Sequence, residues 1–359
     1  MTYSATMSGG MASRGRWHGK VRALAALFAV AAIGVAAPAD ATSMLWVGGT
    51  SGSLGRLVPA GTFGTFDDLL GGAYQDAQTT TIDYPGSLWP ITGLLDPTLG
   101  SSVHTGTTRL DKAAGNTQGP LVVIGTSQGA MVVQQAQADL NNDPRVSSDT
   151  TFILIANPNL GVGRHLYGLH IPGLDYTPAP LPETRFNTIV VINQYDGFAD
   201  PIARPWNLLT DLNALMGIVY VHPYAQNSDL SSVPAEDITV TTNSQHGTTT
   251  VYHVPTEHLP LTMPLRQLGV SSEIVDDIDS ALRPVIDRGY QDVGAQPLSA
   301  KRSGVRPSSS LRPSAAAARQ PKVADRSDRG SHHQRAARPS VQTRTRTAPR
   351  VKVPGAAAR

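Results

Sequence analysis

Apolar and polar positions fall into short, unbroken apolar runs separated by stretches with helical spacing. Met44-Leu-Trp-Val47, Leu121-Val-Val-Ile124, Thr151-Phe-Ile-Leu-Ile-Ala156 and Thr188-Ile-Val-Val-Ile192 are nearly continuous in apolar or β-branched residues. Thr79-Thr-Thr-Ile-Asp-Tyr84 and Thr248-Thr-Thr-Val-Tyr-His253 are rich in β-branched residues. Such runs, bounded by Gly or Pro, read as strands buried on both faces of a parallel sheet. Helical spacing predicts helices over 103–118, 130–141, 206–217 and 272–290. Asn141-Asn-Asp-Pro144 ends the second, because proline cannot continue a helix. Strands alternating with helices predict an α/β fold, a three-layer sandwich around a central, mostly parallel sheet. The stretch 157–187 is rich in Pro, Gly and aromatic residues. A loop that long and that apolar in a compact domain is expected to cap a substrate.

One strand-to-helix junction organises the rest. Leu121-Val-Val-Ile124 runs into Gly125-Thr-Ser127-Gln-Gly129 and then a small-residue helical pattern. This is the spacing and context of a nucleophile elbow, in which a sharp turn exposes a serine and side chains at the flanking glycines would collide with neighbouring elements. A plain glycine-rich turn is the simpler alternative. The N-terminus of the following helix aims N–H groups at the serine, suiting a developing oxyanion. Gly48-Gly-Thr-Ser-Gly52, after the first strand, does not reproduce G-x-G-x-x-G. It is placed instead to supply a second oxyanion N–H, with Gly49 and Thr50 as candidates beside the N–H of Gln128.

Charge and the chain ends change the picture. Arg14, Arg16, Lys20 and Arg22 precede an apolar run over 23–37 and then Pro38-Ala-Asp-Ala41, the pattern of a signal peptide cleaved after Ala41. The apolar run falls short of the ~20 residues needed to span a bilayer. Residues 301–359 carry 15 basic and 2 acidic side chains, and residues 43–300 carry 10 basic and 24 acidic ones. The central domain, over 43–297, is therefore acidic. The tail over 298–359, rich in Arg, Ser, Pro and Ala, is expected to be disordered. There is no cysteine, which removes disulfides, thiol catalysis and cysteine metal sites. No metal-ligand spacing and no phosphate-binding loop occurs, so neither metal nor cofactor is expected.

A serine hydroxyl needs a base, itself oriented by a carboxylate. In doubly wound hydrolases the order is Ser, then Asp or Glu, then His, each past the C-terminal end of a strand. The strand at 188–192 leads into Asn193-Gln-Tyr-Asp196-Gly-Phe-Ala-Asp200, and the strand at 248–253 leads into Val254-Pro-Thr-Glu-His258. Asp200 is favoured as the acid, with Asp196 the alternative. His258 is favoured over His253, which falls inside its strand. His165, His170, His222 and His246 match no template.

With these motifs in hand, residues 43–295 resemble the PE-PPE domain of mycobacteria and related actinobacteria, a serine α/β-hydrolase family akin to cutinases. The matching stretches are Val47-Gly-Gly-Thr, Tyr84-Pro-Gly-Ser-Leu-Trp-Pro90, Gly125-Thr-Ser-Gln-Gly129, Asn193-Gln-Tyr-Asp-Gly-Phe-Ala-Asp200 and Pro255-Thr-Glu-His-Leu-Pro-Leu261. The resemblance implies an esterase on acyl esters, or an acyltransferase in cell-envelope lipid synthesis, with Ser127, Asp200 and His258 as its triad. A signal peptide stands where many members carry a PE or PPE helical module. The expected protein is thus an exported or envelope-associated serine esterase or lipase whose partner is an acyl-ester or lipid substrate. Its basic tail is suited to electrostatic contact with an anionic envelope, and nucleic acid is not an expected partner. The competing expectation is a non-catalytic envelope-binding protein on a hydrolase scaffold.

Overall fold

The computed structural model describes residues 43–52 and 68–290. The signal-peptide and tail expectations lie outside these residues. Within them the chain forms seven strands: β1 (Ser43–Val47), β2 (Gln78–Thr81), β3 (Leu121–Thr126), β4 (Thr151–Ile155), β5 (Asn187–Asn193), β6 (Ile238–Thr242) and β7 (Thr248–Val254). Among the described residues the α-helices are α1 (Leu99–Asn116), α2 (Gln128–Asp139), α3 (Leu208–Tyr220), α4 (Met263–Gln267) and α5 (Ser272–Asp287). The sheet order is β2-β1-β3-β4-β5-β7-β6, parallel throughout except for the β6–β7 edge pair. This is the α/β-hydrolase fold expected from the sequence.

The reason for the apolar runs is visible in how alternate residues divide between the faces. Leu45, Val47, Leu121, Val123, Phe152, Leu154, Val190 and Ile192 face a core shared with α1 and α2, including Leu110, Ala130 and Val133. Their neighbours Met44, Val122, Ile124, Ile153, Ile155 and Val191 face a second core closed by Leu69, Leu70, Ala225 and Leu230. Both sides of a central strand must then be apolar, so no alternation survives in the sequence. β6, Ile-Thr-Val-Thr-Thr, is an exposed edge strand and went unrecognised in the pattern; its β-branched alternation is the signal that marks it. A third small cluster, Tyr195, Leu259 and Ile286 with Leu209 and Leu282, joins α3 and α5. Among the described residues no helix is long and apolar enough to cross a membrane.

The segment 157–187 starts beside the β5 turn and is firmly attached. The Val162 N–H donates to Phe198 O at 3.0 Å, and the Gly100 N–H at the start of α1 donates to Leu174 O at 2.9 Å. Gln134 of α2 donates to Ala179 O and Pro180 O at 2.9 and 3.0 Å, and accepts from Asn157 at 2.8 Å.

On α1, half-buried Asp111 has one carboxylate oxygen buried without a partner. Burial, then the charges of Asp139 and Asp143, push its pKa up to about 7. Because the folded state holds this proton more tightly than the unfolded one, stability falls as pH rises from about 4 to about 7. Asp111→Asn is expected to leave stability unchanged at pH 4. At pH 8 it is expected to add about 1–2 kcal/mol, the full shift being discounted for solvent screening. Urea unfolding at the two pH values measures the difference; equal effects at both would refute the assignment.

Candidate active site

The elbow is built from backbone contacts. Ser127 sits between β3 and α2 with φ 56° and ψ −119°, a left-handed conformation costly for a non-glycine residue. Its N–H donates to Ile155 O on β4 at 2.9 Å. A Cβ at Gly125 would lie 2.3 Å from Gly129 O, and one at Gly129 would lie 2.1 Å from Val47 O. Neither position has room for a side chain, so strand β3, helix α2 and the loop after β1 approach as closely as they do only with glycine there.

Ser127 Oγ lies 2.8 Å from His222 Nε2, and His222 Nδ1 lies 2.8 Å from both Asp196 carboxylate oxygens. Asp196 is fully buried and its Oδ1 also accepts from the N–H groups of Phe198 at 2.9 Å and Ala199 at 3.1 Å. The carboxylate therefore has donors on every side that matters, which holds it as an acceptor for imidazole N–H. The Phe198 ring meets the His222 ring edge-on, with centroids 4.9 Å apart, and fixes its plane.

The loop beside Ser127 and the start of α2 are held by several contacts. Gly49 abuts Ser127: a Cβ there would come within 3.2 Å of Ser127 Cβ. Gln128 opens α2, so its N–H has no acceptor within the helix. Its buried side chain donates to Ser87 O at 2.9 Å and Thr50 Oγ1 at 3.3 Å, and accepts from Ser102 at 2.9 Å. Tyr84 OH donates to Gly48 O at 2.7 Å, and the Ser51 N–H donates to Gly86 O at 2.7 Å. The Tyr-Pro-Gly-Ser motif thus serves as scaffolding for the Gly48–Gly52 loop.

The structure does not bring the two favoured partners to Ser127, and both expectations are corrected. Asp200 is turned toward the Tyr195 N–H at 2.7 Å and His253 Nε2 at 3.3 Å. His258 Nδ1 lies 3.8 Å from Asp276 and Asp279 on α5. The physical cause lies in the path of the chain. After β5 it forms α3 and returns at once to the sheet through a short 3-10 helix, His222–Asn227, packed against β5. The stretch after β7 instead packs, through Pro260–Thr262, on α3 and α5. His222 follows the end of an apolar helix and has no motif of its own, so no local pattern marks it. Asp196, the alternative acid, is the one paired with it.

Among the described residues, His258, Asp276 and Asp279 hold their ligand atoms within 4.8 Å of one another. Arg266 already occupies this cluster, its Nη2 lying 2.6 Å from Asp276 and 3.1 Å from Asp279, so it is a salt-bridge group.

Comparison with known proteins extends over most of this architecture. The PE-PPE domain model matches residues 75–291. Over 230 residues the chain is 45% identical to the SL1278 acyltransferase Chp1 of Mycobacterium tuberculosis (strain ATCC 25618 / H37Rv), covering 62% of this chain and 57% of that protein. It is 38% identical over 243 residues to the diacyltrehalose acyltransferase Chp2 of the same organism, covering 60% of this chain and 67% of that protein. To the esterase PE16 of that organism it is 34% identical over 224 residues, covering 58% of this chain and 42% of that protein. The match thus spans about two fifths to two thirds of these relatives' length. The matched span contains Ser127, the turn bearing Asp196, and His222, and on it the chain belongs to the PE-PPE domain family.

Proposed function

We propose that this chain is a serine esterase or acyltransferase acting on acyl esters of lipids through Ser127, His222 and Asp196. One observation carries the reading: the unbroken hydrogen-bonded line from Ser127 Oγ through both ring nitrogens of His222 to a buried carboxylate. Ser127 Oγ attacks the ester carbonyl while His222 Nε2 takes its proton. Asp196 orients the ring and stabilises the imidazolium without itself being protonated. The N–H of Gln128, with the Gly49–Thr50 loop, faces the developing oxyanion. His222 then protonates the departing alcohol, leaving an acyl group on Ser127. Water completes hydrolysis and a sugar or lipid hydroxyl completes transfer, by the same chemistry in reverse.

The names of the relatives, two acyltransferases and one esterase, support both outcomes and a lipid or ester substrate. The pattern over 1–41 supports export, either secreted or held at the cell envelope, and the basic tail suits contact with anionic envelope polymers. A complete hydrogen-bonded triad weighs against a purely binding scaffold.

The test is direct detection of the intermediate. Reaction with a p-nitrophenyl ester is expected to release a burst of nitrophenol equal to enzyme. Mass spectrometry is expected to find the acyl group on the peptide carrying Ser127. An acyl group on any other residue, or turnover with no acylated peptide under acid quench, would reject the mechanism. Adding trehalose or a long-chain alcohol then separates transfer from hydrolysis by the product formed.

A further inference from the structure

We infer that Asp200 and His253 form a second carboxylate–imidazole pair that holds the turn aiming Asp196 at His222. This rests on the triad reading above. Both are positioning residues, since the hydrogen bonds of the pair join it to the turn that bears Asp196.

The turn needs holding. Tyr195, immediately before the acid, has φ 68°, in the left-handed region that is unfavourable for a non-glycine residue. Asp200 grips it on both sides of the acid. Its Oδ2 accepts the Tyr195 N–H at 2.7 Å, and its own N–H donates to Asp196 O at 2.8 Å. The Asp196 carboxylate in turn accepts from Phe198 and Ala199, so 195–200 closes into one hydrogen-bonded ring. Any shift of this ring moves Asp196 against His222.

Closing the ring places two carboxylates in one buried turn, with Asp196 0% and Asp200 4% exposed. A buried charge is costly unless paired. Asp196 has His222, and Asp200 has His253, whose Nε2 lies 3.3 Å from Oδ1. His253 stands on β7 opposite Ile192 of β5, so the pair ties the turn to the sheet. Burial pulls the His253 pKa down, but its hydrogen bond to Asp200, the Asp200 charge and that of Asp237 carry it above the ordinary histidine value. Burial raises the Asp200 pKa and the hydrogen bond from His253 counters it, so His253 serves the second carboxylate and leaves the first to act on His222.

The experiment compares His253→Ala, His253→Gln, Asp200→Ala and Asp200→Asn in the full chain. It measures kcat and KM on p-nitrophenyl butyrate and the low-field proton NMR signal of the His222–Asp196 hydrogen bond. His253→Ala is expected to lower kcat by about tenfold and Asp200→Ala by roughly 100-fold, with KM nearly unchanged and the low-field proton shifted or broadened. His253→Gln keeps an N–H donor, and Asp200→Asn keeps an acceptor for Tyr195. Each is expected to recover most of the loss. His253 is partly exposed, so its variants carry the test if Asp200→Ala does not fold. Unchanged kcat and proton signal in folded His253→Ala would overturn the inference, as would a loss confined to KM or no rescue by Gln. His222→Ala, run alongside, separates the failures. If it remains active, the triad reading is wrong; if it is dead while His253→Ala is fully active, only the positioning role is wrong.

Discussion

Replacing His222 by alanine is expected to lower kcat/KM on p-nitrophenyl esters by roughly 10⁴- to 10⁶-fold, matching Ser127→Ala, with the fold intact. The imidazole contacts Ser127 on one side and Asp196 on the other at 2.8 Å, and no other histidine bridges that gap among the described residues. Because serine and base act as a unit, the double variant is expected to be no worse than either single one. His258→Ala should keep activity within about threefold, as its ring is partly exposed and lies 3.8 Å or more from its acidic neighbours. Steady-state kinetics on the four proteins decides. If His258→Ala is inactive and His222→Ala active, the triad drawn from the geometry is wrong and the order expected from the strands is right.

Gly129→Ala is expected to destabilise the domain strongly through a single methyl group. The new Cβ would lie 2.1 Å from Val47 O and 2.5 Å from Gly48 O. Both atoms are backbone, so no rotamer change relieves the clash; β1's end and the Gly48–Gly49 loop must move away from α2. Overpacking of this kind costs about 1–3 kcal/mol, and more where backbone must move. Since Gly49 lies against Ser127, the displacement also disturbs the proposed oxyanion site. Activity is therefore expected to fall by more than 10-fold even in the fraction that stays folded. Thermal unfolding with active-site titration separates the two effects. A folded, fully active Gly129→Ala protein would mean the elbow is looser than the contacts describe.

The parallel sheet and the elbow were legible in the sequence because both depend on local rules. Strands β3, β4 and β5 lie with cores on both faces, so their residues are apolar without alternation. Ser127 is flanked by glycines because backbone atoms lie within 2.3 Å of where a Cβ would stand at Gly125 and Gly129. These constraints act within a few residues along the chain and leave a readable mark.

The histidine that meets Ser127 was not legible, and the physical reason is one of distance along the chain. His222 reaches Ser127 across 95 positions, and Asp196 reaches His222 across 26. What joins them is the length of α3 and the point at which the chain turns back to β5, which no spacing rule states. The same holds for the two aspartates of the 193–200 turn. Residue type and loop position suit either as the acid. Only the fold points Asp196 at His222 and Asp200 at His253, because the closed turn directs their side chains to different neighbours. Local packing wrote the strands and the serine's turn into the residues; the meeting of serine, base and acid is a property of the folded chain.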